Sequence, residues 1–164
     1  MSQHHTTHRH HPTHRSPSHV ETFIARHLAD AKQVSTKSGV PASVILAQSG
    51  LKSGWGLRVS GNAYFGVKGH APDGSSRSFV THEVTHGVAQ KITDTFRDYR
   101  SYAEAAEDYA NMLRRRFPMA LAHKDDSLKF VTFLRRYATD PLYVQKLQTV
   151  IRFHNLQQYD AKKP

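Results

Sequence analysis

Cysteine is absent from the 164 residues, so no disulfide holds this chain and thiol chemistry is excluded. Acidic residues are scarce beside basic ones. Thirteen Asp and Glu against 23 Lys and Arg leave a formal charge of +10. Such a balance favours polyanions, whether nucleic acid, anionic lipid surfaces or anionic cell-wall polymers. No apolar run approaches the roughly 20 residues that span a bilayer, so membrane insertion is not expected. The N-terminus lacks the apolar core of a secretory signal, so none is expected there. The length supports one domain of ordinary size, able to bury its own core.

Two compositional blocks are present. In residues 1–19, His4, His5, His8, His10, His11, His14 and His19 alternate with Ser, Thr, Arg and Pro. Almost nothing there is apolar, which predicts a disordered tail. His-rich tracts can chelate metal, but a flexible tail or tag is the plainer reading. Residues 20–160 carry the periodicities of a folded domain. Phe23, Ile24, His27, Leu28, Ala31 and Val34 predict a helix ending near Ser38-Gly39. In Gly39–Gly56, Val44, Ile45, Leu46, Ala47 and Leu51 make a second helix apolar on most sides, hence buried. Pro41 suits its first turn and Gly54 its left-handed end.

Tyr64-Phe65-Gly66-Val67 reads as a short extended segment within a glycine-rich loop. Residues 77–98 read as a β-hairpin turning at Thr85-His86-Gly87, with Phe79, Thr81 and Glu83 on one face. Ser101 and Glu104 match a capping box opening a helix to about Arg116, before Pro118. A further helix is predicted over 126–138. Thr139-Asp140-Pro141 then caps a last helix with Leu142, Leu147, Val150, Ile151 and His154 inward. The fold class is therefore α+β, mainly α: a helical body with a small β-lobe and a cleft between them, where a ligand is expected.

Five segments in order, VPASVILAQSGLKSGWG, NAYFGVKG, the Thr81-x-Glu83 hairpin, FRDYRSYAEAAEDYANML and RYATDPLYVQKL, resemble the N-acetylglucosaminidases of glycoside hydrolase family 73. The resemblance implies a lysozyme-like fold. It also implies cleavage of the β-1,4 bond after N-acetylglucosamine in peptidoglycan, with no cofactor and no metal. The family's acid closes the core helix in a segment like AQxxLESGWG, and here that position is Lys52. The hairpin carboxylate maps to Glu83 and a site tyrosine to Tyr137. Trp55, Asn62, Tyr64, Phe65 and Gly66 map to substrate-binding positions.

Glycoside hydrolysis needs a carboxylic acid to protonate the leaving oxygen. An ordinary lysine, with a pKa of about 10.4, is a poor acid at neutral pH. The chain as written is therefore expected to be inactive or strongly impaired. Lys52 is expected to pair with Glu83 across the cleft, and Trp55 to supply the apolar wall of the acid position. Delivery to the periplasm or wall, as an antibacterial effector with a cognate immunity protein, in a phage particle or by flagellar export, follows from the same resemblance. A non-catalytic glycan-binding module is the alternative. Nucleic-acid binding rests on charge alone, without a groove-reading motif.

Overall fold

The computed structural model describes residues 18–162. The tail expectation for residues 1–17 lies outside them. The first helix, α1 (His19–Ser38), opens inside the stretch assigned to the tail. Ser18 caps it: its hydroxyl accepts from Glu21 N–H, and the Glu21 carboxylate accepts from Ser18 N–H. This capping box satisfies two backbone donors that the helix cannot use itself, and Ser18-x-x-Glu21 is its sequence signal.

Helix α2 (Ala42–Ser53) is the axis of the body. Its residues Ala42 to Gly50 are all buried, among them Val44, Ile45, Leu46 and Ala47 at 0% exposure. It packs against α1, the later helices and the C-terminal turn. Pro41 leaves its first turn without a side-chain cap. The distant Asp160 serves instead, accepting from Ser43 N–H at 2.9 Å and from the Ser43 hydroxyl at 2.6 Å.

At the other end Gly54, Trp55 and Gly56 all take positive φ, and the chain folds back on the helix it has just left. Trp55 N–H reaches Gly50 C=O, and the indole lies against Gly50 so closely that a Cβ there would sit 2.4 Å from a ring carbon. In an open helix Gly→Ala adds about 1 kcal/mol. At Gly50 overpacking outweighs that gain. We expect Gly50→Ala to lower stability by about 1–2 kcal/mol in urea unfolding, and Trp55→Leu in the same chain to recover part of the loss.

The β-lobe is one antiparallel hairpin, β1 (Ser76–Thr85) and β2 (Val88–Arg97), with Thr85 opposite Val88. His86 and Gly87 both take positive φ, as a two-residue hairpin turn requires. An isolated hairpin is marginal in water, and this one is tied down at its base. Val67 C=O accepts from Arg97 N–H, Gly69 N–H donates to Thr95 C=O, and Lys68 bridges Phe96. The expected extended segment at 64–67 is thus a turn whose last residue joins the hairpin edge.

Helix α3 (Tyr102–Arg116), capped by Ser101, lies across α1. Pro118 opens a further turn, α4 (Pro118–Leu121). The helix predicted over 126–138 is broken. α5 (Ser127–Thr132) ends at Phe133, and a separate 3₁₀ turn forms over Arg135–Tyr137. The break rotates Tyr137 inward, where its hydroxyl finds a partner that a straight helix would not offer. The last helix, α6 (Tyr143–Phe153), buries Leu147 and Ile151. Leu142 precedes its first turn and is 51% exposed, contrary to the predicted inner face.

His27 is 4% exposed, its ring stacked on Tyr102 at 3.9 Å with Phe23 and Tyr64 edge-on. Burial, then the charge of Arg26, pushes its pKa from 6.5 down to about 4. Because the folded value lies below the unfolded one, the unfolded chain takes the proton first. This contribution to stability is full above about pH 6.5 and is lost as pH falls toward 4, on the order of 3 kcal/mol in all. His27→Phe is expected to flatten the fall in unfolding free energy between pH 7 and pH 5 relative to the parent.

Candidate active site

The last turn of α2, the Gly66 turn, the hairpin face and the 136–140 segment enclose a cleft of about 690 Å³. That is within the usual range of ligand sites. Lys52 is on its floor, one helical turn beyond Gln48, so the two side chains share a face of α2. Gln48 is fully buried and works on the neighbouring loop. Its amide N–H donates to Phe65 C=O at 3.3 Å, and its oxygen accepts from the Tyr143 hydroxyl. Tyr137 O–H donates to the same Phe65 carbonyl at 2.7 Å. Two donors on one carbonyl fix the turn into Gly66, whose φ is +64°. The stem of Lys52 lies across that glycine, with Cδ 3.3 Å from where a Cβ would be.

Lys52 is exposed as a residue, and its ammonium stands 5.6 Å from the Tyr143 ring centroid. The enclosing walls remove part of its water and lower its pKa. Asp140 and Glu83 oppose that shift, while Lys146 and Lys68 add to it. The predicted Lys52–Glu83 ion pair is not formed. Glu83, from the cleft face of β1, is paired with Lys68, which also holds Asp94 at 2.8 Å. The hydrogen bonds that Lys68 donates, first to Asp94 and then to Glu83, raise its pKa. Lys68 wins because its segment is stitched to the hairpin edge, beside both carboxylates.

Lys52, Glu83, Tyr137 and Gly66 are thus brought together around one cleft. The other predicted positions are turned away from it. Trp55 is half-buried between Phe23 and His154, because the reversal at Gly54 throws it back over Gly50. The ring beside Lys52 is Tyr143 instead. Tyr64 and Phe65 are 5% and 1% exposed and belong to the aromatic core, Phe65 stacked on Tyr109 at 4.6 Å. Asn62 spans the base of the loop: its amide donates to Tyr99 C=O and its N–H to the Asp98 carboxylate. Asp98 also holds Arg77 at 2.6 Å. These residues shape the loop, and Gly66 alone of them lines the cleft.

Several groups in and beneath the cleft escaped the sequence reading. Gln48 was legible from its spacing to Lys52. Asp140 was read as a cap; its carboxylate does accept from Leu142 N–H, and it also lines the cleft, paired with Lys146. Thr139 Oγ1 accepts from Val84 N–H at 3.1 Å, joining the hairpin tip to the body. No periodicity predicts that contact, which spans 55 residues.

A helical body and a hairpin lobe flanking a cleft, with a buried helix ending on the floor, form a lysozyme-like glycoside hydrolase scaffold. The glucosaminidase family model, described as mannosyl-glycoprotein endo-beta-N-acetylglucosaminidase, matches residues 28–156. The chain belongs to this family, glycoside hydrolase family 73. It is 38% identical over 141 residues to the peptidoglycan hydrolase FlgJ of Salmonella typhimurium, covering 79% of this chain and 45% of that protein. The catalytic domain of the autolysin Auto from Listeria monocytogenes superposes with a TM-score of 0.76 at 31% identity, covering 91% of this chain and 92% of that one. A C-terminally truncated glycoside hydrolase domain of Salmonella typhimurium FlgJ does so with 0.66 at 36% identity, covering 83% and 97%. The chain spans less than half the length of the curated FlgJ relatives it matches.

Proposed function

We propose that residues 20–160 are a peptidoglycan N-acetylglucosaminidase domain whose acid position is held by Lys52. In this reading the cleft binds glycan strands, but the protein as it stands cuts the β-1,4 bond after N-acetylglucosamine weakly or not at all. One observation carries the reading: the Lys52 stem lies over Gly66 and its side chain lines the cleft, at the position that the resemblance assigns to the family's acid. A cation there opposes the positive charge that develops on the sugar, and a lysine in place of a carboxylic acid removes the group that ordinarily protonates the leaving oxygen. Glu83 is assigned as the second carboxylate and Tyr137 as the group that holds the Gly66 turn. The relatives described as peptidoglycan hydrolases and as an autolysin support the substrate class. A role as a delivered antibacterial effector or phage lytic enzyme, with an immunity protein closing the cleft, is part of the same proposal.

A non-catalytic glycan-binding module is the second reading. It is favoured by the engagement of Glu83 with Lys68, which occupies the remaining hairpin carboxylate. Cosedimentation with purified sacculi, together with mass spectrometry of the soluble fraction, tests both. Binding without release of fragments ending in N-acetylglucosamine is expected. Release at the rate of an ordinary glucosaminidase overturns the assignment of Lys52. Failure to bind overturns both readings.

A further inference from the structure

The cleft is lined by seven Lys and Arg side chains against only two carboxylates, Glu83 and Asp140. Several of these cations are already matched. Lys68 holds Glu83 and Asp94, Arg97 holds Asp108, and Lys146 holds Asp140. Among the described residues the other four, Lys52, Arg58, Arg116 and Arg136, have no carboxylate within ion-pair distance. Lys52 lies over Gly66 and Arg58 against Gly54, at the end of α2, whereas Arg116 and Arg136 come from other elements, Arg116 donating to the Met112 sulfur at 3.8 Å. Both side chains are exposed.

They also converge. Arg116 ends α3 just before Phe117, and Arg136 just precedes Tyr137. The Phe117 and Tyr137 rings lie 6.4 Å apart between their centroids. The charge of Arg116 is felt at the Tyr137 hydroxyl. Both arginines therefore enter the cleft lining from positions adjacent to this ring pair. Both come from basic clusters, Arg114-Arg115-Arg116 and Arg135-Arg136, that on sequence grounds are solvated helix ends. Yet from each cluster only one member lines the cleft. Arg135 instead donates to Pro141 C=O. Simple helix-end electrostatics does not select one arginine from each cluster for the same cleft.

A guanidinium without a protein partner, facing a ligand cleft, is suited to a carboxylate. We propose that Arg116 and Arg136 form a carboxylate-binding subsite. It makes the cleft selective for glycan strands that carry anionic groups, in preference to neutral β-1,4-linked N-acetylglucosamine oligomers. This rests on the glycan-cleft reading above and names the substrate feature that the cleft recognises. Two sources supply the same chemistry: the lactyl carboxylate of a muramic acid residue, and the carboxylates of a stem peptide attached to it.

The test is calorimetric or anisotropy binding at low and high salt with three strands of equal length. One carries stem peptides, one is stripped to free lactyl carboxylates, and one is a neutral N-acetylglucosamine oligomer. We expect the anionic strands to bind at least tenfold tighter than the neutral one, a difference of about 1.4 kcal/mol. Arg116→Gln with Arg136→Gln is expected to abolish that tenfold preference. Arg115→Gln with Arg135→Gln, which alters the same clusters outside the cleft, is expected to change it less than about twofold. The better of the two anionic strands identifies the carboxylate source. Equal binding of neutral and anionic strands overturns the subsite but leaves the glycan reading intact. Binding of none overturns both. Equal loss in the two double variants, or inorganic polyphosphate binding as tightly as the anionic strands, reduces the feature to general surface charge and overturns it.

Discussion

Lys52→Glu is expected to turn this protein into an efficient glycan hydrolase, raising release of reducing-end N-acetylglucosamine fragments from sacculi by about 10²–10⁴-fold, the range that a positioned general acid contributes. The surroundings are suited to a carboxylic acid. The walls that lower the pKa of Lys52 by desolvation penalise any charge at that position, and the same penalty raises a carboxyl pKa. Asp140 and Glu83 act in the same direction, while Lys146 and Lys68 oppose them. The Tyr143 ring supplies the apolar neighbour. The stem of residue 52 is held over Gly66, so the shorter glutamate is expected to place its carboxyl over the same turn. Mass spectrometry of the released ends reads the outcome. Glu83→Gln added to Lys52→Glu is expected to remove most of the gain. If Lys52→Glu releases no more than the parent while still binding sacculi, position 52 is not where the acid belongs.

Asp108→Ala is expected to be the most destabilising single change away from the cleft floor, at about 3–4 kcal/mol in urea unfolding. Asp108 is 8% exposed on α3, and its carboxylate accepts from Arg97 at 3.0 Å and from the Tyr99 hydroxyl. Arg97 in turn donates to Lys68 C=O, and Tyr99 C=O accepts from Asn62. One carboxylate thus ties the exit of the hairpin and the base of the Gly66 loop to the helical body. Burial, reinforced by the bond to Asp108, raises the Tyr99 pKa well above the ordinary tyrosine value, so it remains a neutral donor. Removing the carboxylate leaves a largely enclosed guanidinium and a buried hydroxyl unmatched, the situation in which breaking a buried pair costs most. Tyr99→Phe deletes one neutral partner and is expected to cost only about 1 kcal/mol. A loss of less than about 1 kcal/mol for Asp108→Ala, with the hairpin still ordered, would show that the lobe is anchored by its backbone bonds alone.

The residues that a local pattern can reach were the ones read correctly from the sequence. The three- and four-residue spacing of Phe23, Ile24, His27, Ala31 and Val34 placed α1. The apolar density of 44–47 marked α2 as buried. Alternation placed Phe79, Thr81 and Glu83 on one face of the hairpin, and all three line the cleft. The errors came where a distant partner overrides the local preference. The helix expected over 126–138 yields to a 3₁₀ turn because Tyr137 bonds Phe65, 72 residues away. Glu83 chose Lys68 over Lys52 because backbone pairing had already put Lys68 at the hairpin edge.

By itself, then, the sequence determined the helical body, the hairpin, the identity of the cleft-floor helix and the presence of a lysine at its end. Each of these depends on periodicity or on motifs a few residues long. Tertiary structure alone decided which side chains face the cleft. It turned Tyr64 and Phe65 into the core and Trp55 against it, set Gln48 and Tyr137 on one carbonyl, and brought Arg116 and Arg136 from separate basic clusters to one cleft. Those outcomes depend on the close approach of segments tens of residues apart, which no one-dimensional pattern encodes.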